Sequence, residues 1–303
     1  MATQPSADPN SLDGLFQQAV SAIDAGDVQA LERLLAASPR LVSERLDNPG
    51  AWLRDKVGEA LEGFFSRPYL LWFVAEDPVR NGRLPPTITD IIRVIVDVAR
   101  KQEVPTLQEQ LDRTLGLVAW SGVAASSGVQ LGMIDALVDA GAAPARNANN
   151  ALVNGHVAAA ERLLERGGIP TLAAALCLER WDDVARLAPE TNDAAKQFAF
   201  VLAALNGKAK GVEYMTRLGV DINRPSADLY SHGTPLHHAV CSGSLDAVKV
   251  LVNAGADIHA QDTAWQATPL GWAEYYEDGA PPDRKARYSD IASFLRQRIT
   301  ERL

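Results

Sequence analysis

The sequence predicts an all-α protein, a single curved α-solenoid of stacked helix-turn-helix units, and three observations carry that expectation. Of the 303 residues, 47% are hydrophobic but only 6% aromatic, a balance that suits Ala- and Leu-rich helices better than a β-sandwich. Apolar residues recur in pairs of short runs with the 3.6-residue period of a half-buried helix, and no run alternates as a strand does. Glycine turns and loops holding Asp or Asn separate the runs, as expected where one helix stops and the next begins.

Taken in order, LFQQAVSAIDAGDVQALERLLAASPRLV (15–42) sets Ala22, Gly26, Leu31 and Leu34 at the spacing of a helical hairpin. Residues 63–101 read as an apolar first segment, a turn-rich insertion near 76–88 and an amphipathic helix from about Thr89. GVAASSGVQLG (122–132) is glycine-rich but lacks the G-x-G-x-x-G spacing and the lysine of a phosphate loop, so a small-residue helix or turn is expected. MIDALVDAGAAP (133–144) reads as a second helix closed by Gly141.

From 148 onward the units become copies of one another. NALVNGHVAAAERLLERGG (150–168) keeps Gly155, Leu163 and Gly167, and ALCLERWDDVARL (175–187) keeps Asp182, Val184 and Leu187 but has Glu179 where the turn glycine belongs. In 200–224, Ala203, Gly207, Val212, Met215, Gly219 and Asp221 fall in register with Ala239, Gly243, Val248, Leu251, Gly255 and Asp257 of the next copy. That copy, GTPLHHAVCSGSLDAVKVLVNAGADIHAQD (233–262), resembles the ankyrin repeat through Thr234, Pro235, Leu236, His237 and Ala239. A further start at Thr268-Pro-Leu, with SDIASFLRQRI (289–299) as its second helix after a Pro-rich insertion, GAPPDRKA, looks like a C-terminal capping repeat. The expected organisation is one solenoid over 1–303: divergent hairpins over 1–145, ankyrin repeats over 146–266 and a cap over 267–303.

The stretch HGTPLHHAVCSG (232–243) holds three histidines and a cysteine. His237 and Cys241 share a helix face as metal ligands can, but zinc needs at least three protein ligands and no C-x-x-C or H-x-x-x-H completes a set. The resemblance instead implies that His237 ties the first turn of its repeat to the backbone of a neighbour. His156 and His259 are likewise read as structural. No metal, cofactor or catalytic residue is expected.

The resemblance also implies function. Ankyrin-like repeats bind other proteins through a concave face and hairpin tips, so the expectation is a protein-interaction module, an adaptor or scaffold, with another protein as partner. The exposed, variable positions of the family fall on Tyr230, Ser231, His232, Cys241 and Ser242 in the strong repeat and on Ala264, Trp265, Gln266, Tyr275 and Tyr276 in the last. Exposed Trp and Tyr are the usual anchors of interfaces. The alternative is that these aromatics only pack the cap against 277–288.

A second reading from another functional class rests on FFSRPYLLWFVAEDPVRNGR (64–83). There Tyr69 and Trp72 stand beside Glu76, Asp77 and Arg80, the apolar walls and convergent charges of a small-molecule or catalytic pocket. Core filling by a divergent repeat gives the same composition.

The remaining features exclude classes. A formal charge of −9 disfavours nucleic acid as main partner, because phosphate binding needs a basic surface. The basic end, Arg284 to Arg302, suits the negative end of a helix dipole. The longest apolar run, YLLWFVA (69–75), is far short of a membrane span, and MATQPSADPN has no basic start with an apolar stretch behind it. Two cysteines, Cys177 and Cys241, are read as free thiols. The expected location is cytoplasmic, with no membrane partner.

Overall fold

The computed structural model describes residues 8–301, which are helical without a strand; an isolated bridge pairs Ser226 with Leu229. The start of MATQPSADPN and Arg302 of the basic end lie outside the described residues. Among the described residues no helix is long and apolar enough to cross a membrane. The chain divides into two compact units, 1–169 and 170–303.

The first unit opens on the expected hairpin, α1 (Leu12–Ala25) and α2 (Val28–Ala37). Ser11 caps α1 by accepting from the Gly14 N–H, and Gly26 closes it at φ +69°, a left-handed conformation where a β-carbon costs about 1–2 kcal/mol. After α3 (Ala51–Val57) the apolar run becomes a 3-10 turn, Leu70–Ala75, every residue of it buried. This turn packs against α1, against α4 (Ile88–Lys101) and against α5 (Leu107–Trp120). Phe73 meets Phe16 and Phe65 at ring-centroid distances of 6.2 and 5.2 Å. The apolar segment is therefore the core of its unit. α6 (Gly122–Ser126), α7 (Gln130–Asp139), α8 (Asn147–Val153) and α9 (Val157–Glu165) complete it, and 122–132 is the small-residue helix and turn its sequence suggests.

The second unit is a regular stack of helical pairs: α10 (Leu172–Cys177) and α11 (Trp181–Leu187), α12 (Asp193–Leu205) and α13 (Ala209–Arg217), α14 (Pro235–Cys241) and α15 (Leu245–Asn253), α16 (Pro269–Gly279) and α17 (Pro282–Glu301). First helices pack in series, α10 on α12, α12 on α14 and α14 on α16, while α13 packs on α15 and α15 on α17. Each pair buries its apolar stripe against the next, as solenoids require. In the strong repeat Leu236, Ala239, Val240, Val248 and Leu251 are buried almost completely, and a full Leu or Val burial contributes about 1.5–3 kcal/mol. Glu179, standing in for the turn glycine, takes that glycine's conformation at φ +54°.

One boundary differs from expectation. GAPPDRKA does not insert a loop before a helix at 289; α17 already begins at Pro282. Proline needs no intrahelical partner for its missing N–H at a helix start, Asp283 stands in the first turn where the dipole favours an acid, and the Arg284 and Lys285 N–H groups bond to the Pro281 carbonyl. This places Tyr288 on α17, where its hydroxyl donates to the Cys241 carbonyl at 3.0 Å.

Candidate functional site

The geometry begins at His237, whose side chain is fully buried. Its Nδ1 accepts from the Thr234 backbone N–H at 3.2 Å and lies 2.8 Å from the Thr234 hydroxyl, closing the first turn of α14. Nε2 carries the proton and donates to the Ala267 carbonyl of the following repeat at 3.0 Å. Burial lowers its pKa, against the opposing pull of the Ala267 bond and Asp262. His238 donates from Nε2 to the Tyr230 carbonyl at 3.2 Å, and burial, helped by His232, lowers its pKa to about 4. Both imidazoles are neutral at pH 7. Among the described residues no three His, Cys, Asp or Glu side chains converge as a metal site.

Above these histidines the hairpin tips of the last two repeats lock together. The Thr263 N–H donates to the His232 carbonyl at 2.9 Å. Asp262, 1% exposed, organises the second tip: Oδ1 accepts from the Ala264 and Trp265 N–H groups at 2.8 and 2.6 Å, and Oδ2 from the Ala267 N–H at 3.0 Å and Trp272 Nε1 at 2.9 Å. Burial pushes its pKa up, but these donors together outweigh burial and hold it below the usual carboxylate range.

A strip of rings runs from the tips down α16. Successive centroids are 6.3 Å apart for Tyr230 and His232, 5.1 Å for His232 and Trp265, 5.9 Å for Trp265 and Trp272, 6.2 Å for Trp272 and Tyr276, and 5.6 Å for Tyr276 and Tyr275. Tyr276 also stacks on Tyr288 at 5.3 Å and 23°. Along this strip Trp265 is 68% exposed, Tyr275 75% and Tyr230 42%, while Trp272 is buried.

The sequence-expected residues therefore separate into two groups. Tyr230, Ser231, Trp265, Gln266 and Tyr275 are exposed. His232, Cys241, Ser242 and Tyr276 are half-buried and partnered: Cys241 Sγ donates to the Tyr276 hydroxyl at 3.2 Å, and the Ser242 hydroxyl donates to the Ala239 carbonyl at 2.6 Å. Burial raises the pKa of both the Cys241 thiol and the Tyr276 phenol, so the thiol is not a thiolate nucleophile at neutral pH. Cap packing thus holds for Tyr276 and not for Trp265 or Tyr275. Sequence reasoning missed Asp262, Trp272 and Tyr288. Of these only Asp262 carried a local signal, a short acid just ahead of its own turn.

Over 64–83, Tyr69, Trp72 and Glu76 are buried and Asp77 half-buried. Glu76 turns its carboxylate onto the inserted loop, where Oε1 accepts from the N–H groups of Arg80 at 3.0 Å, Asn81 and Gly82 at 3.1 Å. The Arg80 side chain, 1% exposed, uses Nη2 on Asp24 at 2.7 Å, the Phe73 carbonyl at 2.9 Å and Glu76 Oε2 at 2.9 Å. Glu76 and Arg80 thus engage one another. Tyr69 and Trp72 instead carry the Arg45 guanidinium, 4.2 Å above the Tyr69 ring, and Arg113 lies 5.6 Å from the Trp72 ring. Burial raises the Asp77 pKa to about 6, with Arg113 opposing. Among the described residues the buried Trp72 indole N–H has no acceptor.

Comparison with known proteins agrees with the repeat geometry. Residues 151–262 match the family model of ankyrin repeats in three copies. Protein phosphatase 1 regulatory subunit 27 of Mus musculus is 49% identical over 61 residues, which cover 20% of this chain and 32% of that protein. The match spans about a third of the relative's length. The segment 151–262, with its T-P-L-H turn and the stacking of its helical pairs, thus consists of ankyrin repeats.

Proposed function

We propose that the chain works as an adaptor or scaffold whose partner docks on the aromatic strip of the C-terminal repeats, with Trp265 and Tyr275 as anchors and Tyr230, Ser231, His232, Cys241, Ser242, Gln266 and Tyr276 around them. Ankyrin repeats are a protein-interaction module, which supports a protein-binding role. The observation that carries the site is that two large rings stand 68% and 75% exposed on rigid supports. Trp265 is fixed by the Asp262 carboxylate at its own N–H, and Tyr275 leans on Tyr276, itself stacked on Tyr288. A preordered ring loses little entropy on binding.

Affinity capture by the full chain, quantified against Trp265→Ala and Tyr275→Ala, tests this. Protein phosphatase 1, named in the mouse relative's description, is one partner to quantify. Each truncation is expected to cost about 1–4 kcal/mol of binding while leaving the melting temperature nearly unchanged. Partners retained equally by both variants place the docking surface elsewhere.

A second reading keeps a ligand pocket in 64–83. It is supported by Asp77, a carboxyl whose pKa of about 6 suits proton transfer near neutrality. A metabolite thermal-shift screen repeated on Asp77→Asn tests it; no hit that depends on Asp77 removes it.

A further inference from the structure

The tip end of the aromatic strip carries an uncompensated negative charge. Asp262 is ionised against the Trp265 backbone N–H, its charge is held by N–H donors, and it forms no ion pair among the described residues. Asp228, exposed two residues before Tyr230, has no ion pair among the described residues. The imidazoles below, His237 and His238, are kept neutral by burial. The exposed cations Arg284, Lys285 and Arg287 belong to the start of α17, at the Tyr288 end, where Arg284 and Arg287 act on that phenol. Trp272, in edge contact with Trp265, donates its indole N–H to the Asp262 carboxylate, which fixes that charge against the Trp265 backbone N–H. An indole face attracts cations more strongly than any other side-chain ring. A buried negative charge, an open indole beside it and an exposed carboxylate two residues before Tyr230 complement one kind of group.

We propose that the hairpin tips of the last two repeats seat an arginine or lysine side chain of the partner protein, the cation lying against Trp265 and flanked by Tyr230. This rests on the docking reading above and names the chemistry of the partner's contact. A guanidinium gains twice there, from the ring face and from the field of Asp262 and Asp228, without requiring either carboxylate to break an existing ion pair.

The test is a titration of the full chain, followed through its tryptophan indole N–H resonances, the Trp265 signal being assigned with Trp265→Phe. The probes are a capped Gly-Arg-Gly tripeptide and its citrulline counterpart, which keeps the shape and loses the charge. Expected is a saturable shift of the Trp265 resonance with arginine, about tenfold weaker with citrulline, weakened by salt and by Asp228→Asn, which is exposed and leaves the fold intact. Equal response to both peptides, or an unmoved Trp265 resonance into the tens of millimolar, overturns the proposal. If capture of the partner needs Trp265 yet the peptides bind alike, the cation seat fails and the docking reading stands. If arginine seats while capture ignores Trp265, the docking reading fails, and with it the assignment of the cation to a partner protein.

Discussion

His237 shows how much one residue contributes to the stack. It closes its own turn through Thr234 and reaches the next repeat through Ala267. His237→Ala leaves the Thr234 N–H without its acceptor and the Ala267 carbonyl with the Asp262 N–H alone, and the expected loss is on the order of 1 kcal/mol, rising to about 3 where the Thr234 N–H stays dry; urea denaturation measures it. His238 sets a pH dependence. A histidine whose pKa falls on folding binds its proton less well in the native chain, so its contribution is complete above about pH 6.5 and is lost as the pH falls through about 4. At about 1.4 kcal/mol per pKa unit, that step amounts to roughly 3 kcal/mol. Asp262 acts with the same sign in a lower window, beginning below the ordinary aspartate value of about 3.9. Melting temperatures recorded from pH 7.5 to about 3.5 should therefore fall in the first window, and His238→Gln, which cannot take up the proton, should flatten that step. A curve unchanged by His238→Gln contradicts the assignment.

At the scale of elements, the glycine punctuation was legible because it answers a local steric demand. Gly255 follows α15 at φ +97°, where an L side chain is strained whatever space surrounds it. Gly255→Val should lower stability by at least about 1 kcal/mol, read as a drop in melting temperature; an unchanged value refutes the geometry. Glu179 marks where such reasoning needs care, since it occupies a turn position at φ +54° without being glycine. The start of α17 was misread for a related reason. Two consecutive prolines signal a break, but the second also suits the first turn of a helix, and which meaning prevails depends on whether the turn is needed for packing. Here Tyr288 has a place against Tyr276 and Cys241, so the helix extends to include it.

For the molecule as a whole, stability should follow the repeat grammar. Hydrogen exchange of the full chain should show 233–255 among its slowest segments. There the apolar stripe is fully buried and the T-P-L-H turn is cross-linked to the following repeat. The segment 63–145 should open sooner. It holds the inserted loop and the buried Arg80 cluster, whose Nε and Nη1 have no partner among the described residues, and a buried ion pair offsets its desolvation only when its hydrogen bonds are complete. Faster exchange in 233–255 than in 63–145 reverses this ranking.

The sequence by itself determined the helical class and the register of the repeats, and its family resemblance implied the structural role of His237. Each of these follows from spacing within one repeat, and spacing is local. Only the tertiary structure decided that Trp272 is covered while Trp265 is open, that Tyr276 packs on Tyr288, and that Asp262 gathers the N–H groups of a tip and an indole ten residues away. It also decided that Glu76 and Arg80 engage each other while Tyr69 and Trp72 face Arg45 and Arg113. The physical reason is the same throughout: burial and hydrogen-bond donors set which rings are free and which groups are charged, and both come from neighbouring turns and repeats that no single stretch of sequence contains.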